Sequence, residues 1–388
     1  MMSSTTARDK GPGRGGAADA GKDGGVVHVR GQRLGRDEGV ERRAVVIVNP
    51  TKVDGQRLRA AVSAEEQARR WRPSVWFETS PDDPGQSVAR AALANDPTVI
   101  IVAGGDGTVR AVAEVVHPTR VPLAVVPAGT GNLLARNLGL MADIETAVHT
   151  AFTGSTRAID LGVTELTHRD GRTQTHVFLV MTGVGLDARM ASDTSRALKK
   201  RIGWLAYTEP ISRSVLGNKQ FEMHYEVGHA KERTVRAHTV IVGNCGTLTA
   251  GILLLPDARA DDGLLDVVLL RPRGWWQWLR VAARLGVGGV LHRTEGGRVV
   301  LRSAPDLRAL QYVQDRRLTA RFDDPQKVEL DGDSFGFVTA VTITIRPHAL
   351  LVRGPWLTGN GAGKIPARLL PDGDRMYTPR DSNPEPSD

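Results

Sequence analysis

The sequence predicts an α/β protein in two parts: a three-layer domain on a mostly parallel sheet, then a β-rich, mainly antiparallel, sandwich-like domain. Two patterns carry this reading. In the first part, short continuous β-branched runs alternate with stretches of helical spacing, as expected of strands covered by helices on both faces. In the second part, apolar and polar residues alternate along each run, as in strands with one wet face. The change falls near Arg157.

In chain order, residues 44–48 (AVVIV), 98–103 (TVIIVA) and 123–126 (LAVV) are apolar runs bounded by Gly or Pro, and are expected as buried strands. Residues 56–71, 84–94 and 109–116 carry helical spacing between them. Further on, residues 221–227 (FEMHYEV) and 339–345 (TAVTITI) alternate strictly, and residues 235–242, 264–270 and 318–322 are additional strand candidates. Residues 1–42 hold ten glycines and almost no apolar periodicity, so they and residues 358–388 read as disordered tails. The expected organisation is therefore an α/β domain over 43–158, completed by about 347–357, and a β-rich domain over 159–346.

The 388 residues are 40% apolar and 24% charged, ordinary for a globular protein. Cys245 is the single cysteine, which excludes an internal disulfide and any Cys-based zinc cluster. No apolar run approaches the roughly 18 residues of a spanning helix. The polar opening, Met1 to Lys10, lacks the apolar segment of a secretory signal. A cytoplasmic protein is expected. Its net charge of +8 suits nucleic acid, anionic headgroups or a nucleotide. Basic–aromatic alternation and zinc-finger spacing are missing, so nucleic acid is not an expected partner.

The strongest local signal is AGGDGTVRAVAEVV, residues 103–116. A buried strand ends, Gly104 and Gly105 turn, and a helix is expected to begin near Thr108. Glycines let the backbone approach an anion, and the free N–H groups of a helix start point toward it. Thr108 adds a hydroxyl donor. Asp106 is the odd member, since a carboxylate repels phosphate unless a cation intervenes. The same residues also read as a tight turn in which Asp106 caps the helix. A second loop, Ala128 to Asn132 (AGTGN), follows the next strand, and a third, Asn49, Pro50, Thr51 and Lys52, follows the first. Three such strand ends would lie together at the carboxyl edge of one sheet, where open α/β sheets bind ligands. GxxxxGK[ST] does not occur, which excludes a P-loop enzyme. Leu134 stands where a dinucleotide fingerprint needs its third glycine, which argues against hydride chemistry.

These loops, NPTK (Asn49 to Lys52), GGDGT (Gly104 to Thr108) and PAGTGN (Pro127 to Asn132), resemble the diacylglycerol kinase and sphingosine kinase-like lipid kinases. IDLG (residues 159–162), GVGLDA (183–188), LKKRIGWLAY (198–207), ADDGLLDV (260–267) and LDGD (330–333) continue the likeness in the same order. The resemblance implies a nucleotide domain, a β-rich domain and a cleft between them. It implies ATP held by Asn49, Pro50, Thr51, Lys52, Thr79, Gly104, Gly105, Asp106, Gly107, Thr108, Gly129, Thr130 and Asn132. It also implies Mg²⁺ at Asp262 and the Leu264 backbone, in a network with Asp106 and Asp160. Hard oxygen ligands are what Mg²⁺ prefers, and the metal is favoured here over the alternative reading of Asp261–Asp262–Gly263 as a plain β-turn before a strand.

Three departures from the resemblance stand out. Lys52 and Val53 occupy the places of a Ser and a Gly, Arg110–Ala111 those of a frequent Asn–Glu, and Asp333 that of a glutamate base. Asp333 is the expected catalytic carboxylate, with Asp331 behind it. The implied activity is ATP-dependent phosphorylation of a membrane-lipid hydroxyl such as that of diacylglycerol, by a protein peripheral to the inner, anionic membrane face. Trp275 and its neighbours (residues 275–291) read either as an interfacial helix or as one packed on the β-rich domain. A soluble-metabolite kinase of the NAD kinase type and a catalytically inactive lipid-binding regulatory protein stay open, as does a homodimer.

Overall fold

The computed structural model describes residues 41–185, 220–247, 254–271 and 310–356. The α/β part runs β1 (Arg43–Val48), α1 (Gly55–Arg69), β2 (Arg72–Glu78), α2 (Gln86–Leu93), β3 (Val99–Gly104), α3 (Asp106–Val116), β4 (Leu123–Pro127), α4 (Leu133–Asn137) and α5 (Ile144–Thr153). Its strands pair in the order β2-β1-β3-β4, all parallel. Alternate strand residues face opposite layers. Val46, Ile101 and Val126 pack against Leu58 of α1 and Phe152 of α5. Val45, Ile47, Ile100 and Val102 pack against Ala89 of α2 and Val112 of α3. All six residues of β3 are buried, which is why the run is continuously apolar rather than alternating.

Helix α1 ends sooner than its periodicity suggests. Arg70 takes a left-handed φ of 55° and closes it, which turns Trp71 into the core against Phe152, with ring centroids 4.8 Å apart.

The β-rich part comprises β5 (Ser155–Thr167), β6 (Thr173–Phe178), β7 (Met181–Val184), β8 (Phe221–Val227), β9 (Arg233–Ala237), β10 (Thr239–Gly243), β11 (Leu265–Leu270), β12 (Leu310–Asp315), β13 (Arg317–Leu330) and β14 (Asp333–Gly354). The strand expected over 235–242 is two strands: β9 pairs with β8, whereas β10 pairs with β7 and β11. Along 339–345 the predicted period of two holds, with Val341, Ile343 and Ile345 buried. These three join Phe178, Met223 and Leu318 in a second core.

The two parts share one 14-stranded sheet. β14 is 22 residues long; it pairs antiparallel with β13 and reaches β4 in parallel at Val352 and Arg353. β5 follows it on both sides of a register break between Arg346 and Leu350, where His348 has φ 52°. The expected boundaries at 158/159 and 346/347 therefore fall within continuous strands. No described helix is long and apolar enough to cross a membrane. The segments 1–40, 186–219, 272–309 and 357–388 lie outside the described residues. They contain residues 1–40 and 358–388 of the expected tails, the end of GVGLDA, LKKRIGWLAY and the tryptophan-rich stretch.

Candidate active site

Three loops meet at the carboxyl ends of β1, β3 and β4. The Asn49 amide donates to Ala103 O at 2.8 Å, and the Ala128 amide donates to Gly104 O at 2.9 Å, so each outer loop is tied to the central strand. Asn49 Oδ1 accepts from the Thr51 amide and hydroxyl, at 3.1 and 2.8 Å, and shapes the turn through Pro50 that leads to Lys52. Thr79, just past β2, is buried and its amide donates to Val48 O. The Lys52 ammonium lies 2.8 Å from where a β-carbon on Gly105 would sit. Gly105 and Gly129 approach so closely that a β-carbon on Gly129 would lie 2.7 Å from Gly105 Cα. Gly129 must be glycine for the loops to touch, whereas a β-carbon on Gly105 would meet chiefly the flexible end of Lys52.

Helix α3 begins at Asp106, two residues before the expected start, with Gly105 as an N-cap that offers no side-chain bond. The first amides of a helix have no intrahelical partner. Beside them stands the Lys52 cation. Asp106 does not cap its own helix; its Oδ1 accepts from the Leu133 amide at 2.6 Å and caps α4 instead. Burial pushes its carboxyl up, against the pull of the Leu133 and Asn132 amides. Asn132, with φ 47°, brackets Gly129: its Oδ1 accepts from the Gly129 amide and its Nδ2 donates to Gly129 O. Gly131 leaves room for Asp106 Oδ2, and Thr130 stays exposed at the tip.

Asp333 arrives from the other part of the sheet. Leu330 pairs with Asp333, and Asp331 and Gly332 between them have φ 48° and 90°. This two-residue Asp–Gly connection matches the twist of a hairpin, and it ends β13 at Leu330. The hairpin sets Asp333 Oδ2 only 2.6 Å from the place of a β-carbon on Gly107. Arg110 Nη2 donates to the same oxygen at 3.0 Å. Asp331 cannot serve as a second base. Its carboxylate is buried and accepts from the amides of Leu179, Val180 and Met181 at 2.7, 2.9 and 2.9 Å. Burial nonetheless pushes it up to about 6. Its work is to bind β7 to the hairpin.

The expected metal residues separate. Asp106 is engaged with α4, whereas Asp160 is fully buried and accepts from the Gly263 and His348 amides at 2.6 and 2.7 Å. Asp262 Oδ1 accepts from the Leu264 amide at 3.0 Å. Burial pushes both Asp160 and Asp262 up. Asp266, which the sequence reading missed, is pushed to about 6, first by burial and then by the charges of Asp262 and Asp257. Its Oδ2 is buried without a hydrogen-bond partner. A desolvated carboxylate oxygen amid other carboxylates suits a hard divalent cation, so Asp262, the Leu264 backbone and their neighbours fit one, while Asp106 Oδ1 holds the Leu133 amide. Among the described residues, three ligand side chains converge within 4.8 Å of one another only at Glu222, His224 and Asp323, on the β8–β13 pair.

A cradle of glycines and helix-start amides, a lysine and an adjacent carboxylate is equipment suited to phosphoryl transfer. Comparison with known proteins narrows this class. Residues 43–164 match the diacylglycerol kinase catalytic domain, and residues 180–353 match the YegS C-terminal NAD kinase beta sandwich-like domain. A Pseudomonas aeruginosa (strain UCBPP-PA14) protein named "Probable lipid kinase YegS-like" is 31% identical over 237 residues, 59% of this chain and 72% of that protein. A Bacillus subtilis (strain 168) protein named "Diacylglycerol kinase" is 25% identical over 319 residues, 80% of this chain and 96% of that one. The crystal structure of a diacylglycerol kinase from Bacillus anthracis str. Sterne shares the fold, with a TM-score of 0.54 at 18% identity over 81% of this chain and 97% of that chain. The chain belongs to the diacylglycerol kinase-like, YegS-type family of lipid kinases. Membership implies use of ATP and, typically, of a divalent metal.

Proposed function

We propose that the protein is an ATP- and Mg²⁺-dependent lipid kinase, which transfers the γ-phosphoryl group to a hydroxyl of a membrane lipid such as diacylglycerol. One observation carries this reading: Asp333 rests against Gly107, in the first turn of the helix that opens from the glycine cradle. A carboxylate held there can accept the proton of an acceptor hydroxyl as its oxygen attacks the γ-phosphorus and ADP leaves. The Gly105–Gly129 contact keeps side chains out of the phosphate path, and the Lys52 ammonium offsets phosphate charge. A Mg²⁺ ion held at Asp262 and the Leu264 backbone would add charge neutralisation. Asn49, Thr51 and Thr79 shape the nucleotide edge, and Thr130 offers a hydroxyl at the loop tip. The acceptor would be met at an anionic membrane surface.

The test is transfer of label from [γ-³²P]ATP to a panel of vesicle-borne diacylglycerol, sphingoid base and phosphatidylglycerol, with NAD as the soluble alternative. Labelled diacylglycerol is the expected product. Labelled NAD alone, or no labelled product at all, would overturn the reading.

A further inference from the structure

Helix α3 carries more than the phosphate cradle. Gly107, Arg110 and Glu114 lie three and four residues apart, on one stripe of the helix. Arg110 is 4% exposed, a depth at which a guanidinium is tolerated only with a matched partner. Its partner is Asp333, at 3.0 Å from Nη2. Among the described residues this is its one hydrogen bond, because Nε and Nη1 are buried without any. Glu114 is 3.8 Å away, and the Phe335 ring, two residues beyond Asp333, lies 4.7 Å beneath the guanidinium. Glu114 and Phe335 are themselves fixed. Glu114 Oε2 accepts from the Val177 amide at 3.2 Å and lies 3.3 Å from His176 Nδ1; the His176 ring packs on Phe335 at 4.5 Å.

Asp333 is therefore held from two sides by one helix, against Gly107 and bonded to Arg110. The same helix presents its opening amides to the cradle. The separation between phosphate and carboxylate is thus set within a single rigid element, although the carboxylate comes from a strand more than 200 residues later.

We infer that Arg110 is a positioning residue for Asp333: it locks the carboxylate to α3 at the reach that attack on the γ-phosphoryl group requires. This rests on the kinase reading above. Asp333 and Arg110 form a fitted pair, so lengthening Asp333 is expected to fail. A glutamate at 333 would carry its carboxylate past the position where Asp333 now meets Arg110.

The experiment measures kcat and KM on the panel lipid that turns over fastest, for Arg110→Met, Arg110→Lys, Asp333→Asn and the double variant Arg110→Met/Asp333→Asn. A misplacement of about 1 Å costs up to roughly a hundredfold in rate. Arg110→Met is expected to lower kcat by about 10- to 100-fold, with KM for ATP and the ATP-induced rise in Tm changed less than about twofold. In the Asp333→Asn background the same change is expected to alter the residual rate less than about twofold, because the group it positions is gone. Arg110→Lys, which keeps the charge but not the fork, is expected to recover part of the loss. If Arg110→Met does not fold, Arg110→Lys decides: at least a fivefold fall in kcat is expected, and a wild-type kcat overturns the role. Full kcat in a folded Arg110→Met protein, or a loss that multiplies independently with Asp333→Asn, overturns the positioning role while leaving the kinase reading intact. Full turnover by Asp333→Asn, or a wild-type protein inert on the whole panel, overturns both.

Discussion

Gly129→Ala tests the closest contact in the cradle. The added β-carbon would lie 2.7 Å from Gly105 Cα and 2.9 Å from Asn132 Oδ1. Ordinary contact begins near 3.4 Å, so the two loops must separate by about 0.7 Å. The clash is with backbone, and Asn132 is already committed to the Gly129 amide, so neither neighbour can yield by a simple rotation. Overpacking of this kind costs about 1–3 kcal/mol, a loss of several degrees at about 2–4 °C per kcal/mol. A shift of that size in a phosphate cradle should also lower kcat/KM for ATP by about tenfold or more. Gly105→Ala provides the contrast, because its nearest neighbour is the mobile end of Lys52 at 2.8 Å and the Gly129 backbone stands off at 3.4 Å. Its melting temperature should stay within about 2 °C of wild type. Thermal melts and ATP titrations of both variants suffice. If Gly129→Ala melts and binds ATP like the wild type, the loops are not in contact as described.

The other outcomes are read more simply. Gly105→Asp should fold, since its side chain meets the flexible Lys52, but its charge should remove ATP binding by calorimetry; wild-type affinity would place the phosphates elsewhere. Asp333→Asn should reduce transfer in the radiolabel assay to a small residual rate while ATP still raises Tm. Asp331→Asn turns an amide NH₂ toward one of three backbone donors, so it should destabilise by about 1–3 kcal/mol in urea unfolding. Gly162→Ala puts a methyl 2.1 Å from the Phe178 ring in the second core, and its melt should fall more than that of any loop variant described above.

Much of the fold is legible because its causes are local. The runs 44–48, 98–103 and 123–126 are continuously apolar apart from the opening Thr98, which a strand covered on both faces requires, and all three are central strands. The glycine loops are legible for a similar reason, since a backbone that must approach another backbone can carry no side chain, and that need is written as Gly at fixed spacing. The strands that sequence reading missed or cut short, β2, β5, β6, β7, β12 and the ends of β13 and β14, mostly carry mixed polar residues. β5 and β7 also pair with strands far along the chain, β14 and β10 among them. The continuous sheet through β14 is invisible to local pattern for the same reason.

Asp106 shows the limit most sharply. Its type and spacing suit a cation network, a cap on its own helix and a cap on a neighbour equally well; only the approach of α4 selects the last. Asp331 and Asp333 are two residues apart and chemically identical, yet one is consumed by three amides leading into β7 and the other faces the cradle. Arg110 reads as a helix-surface cation until β14 folds over it. The sequence by itself determined where backbone must come close to an anion, because that demand falls on single residues. Which carboxylate meets the phosphates, and what holds it there, is a long-range pairing free energy that exists only once the sheet has closed.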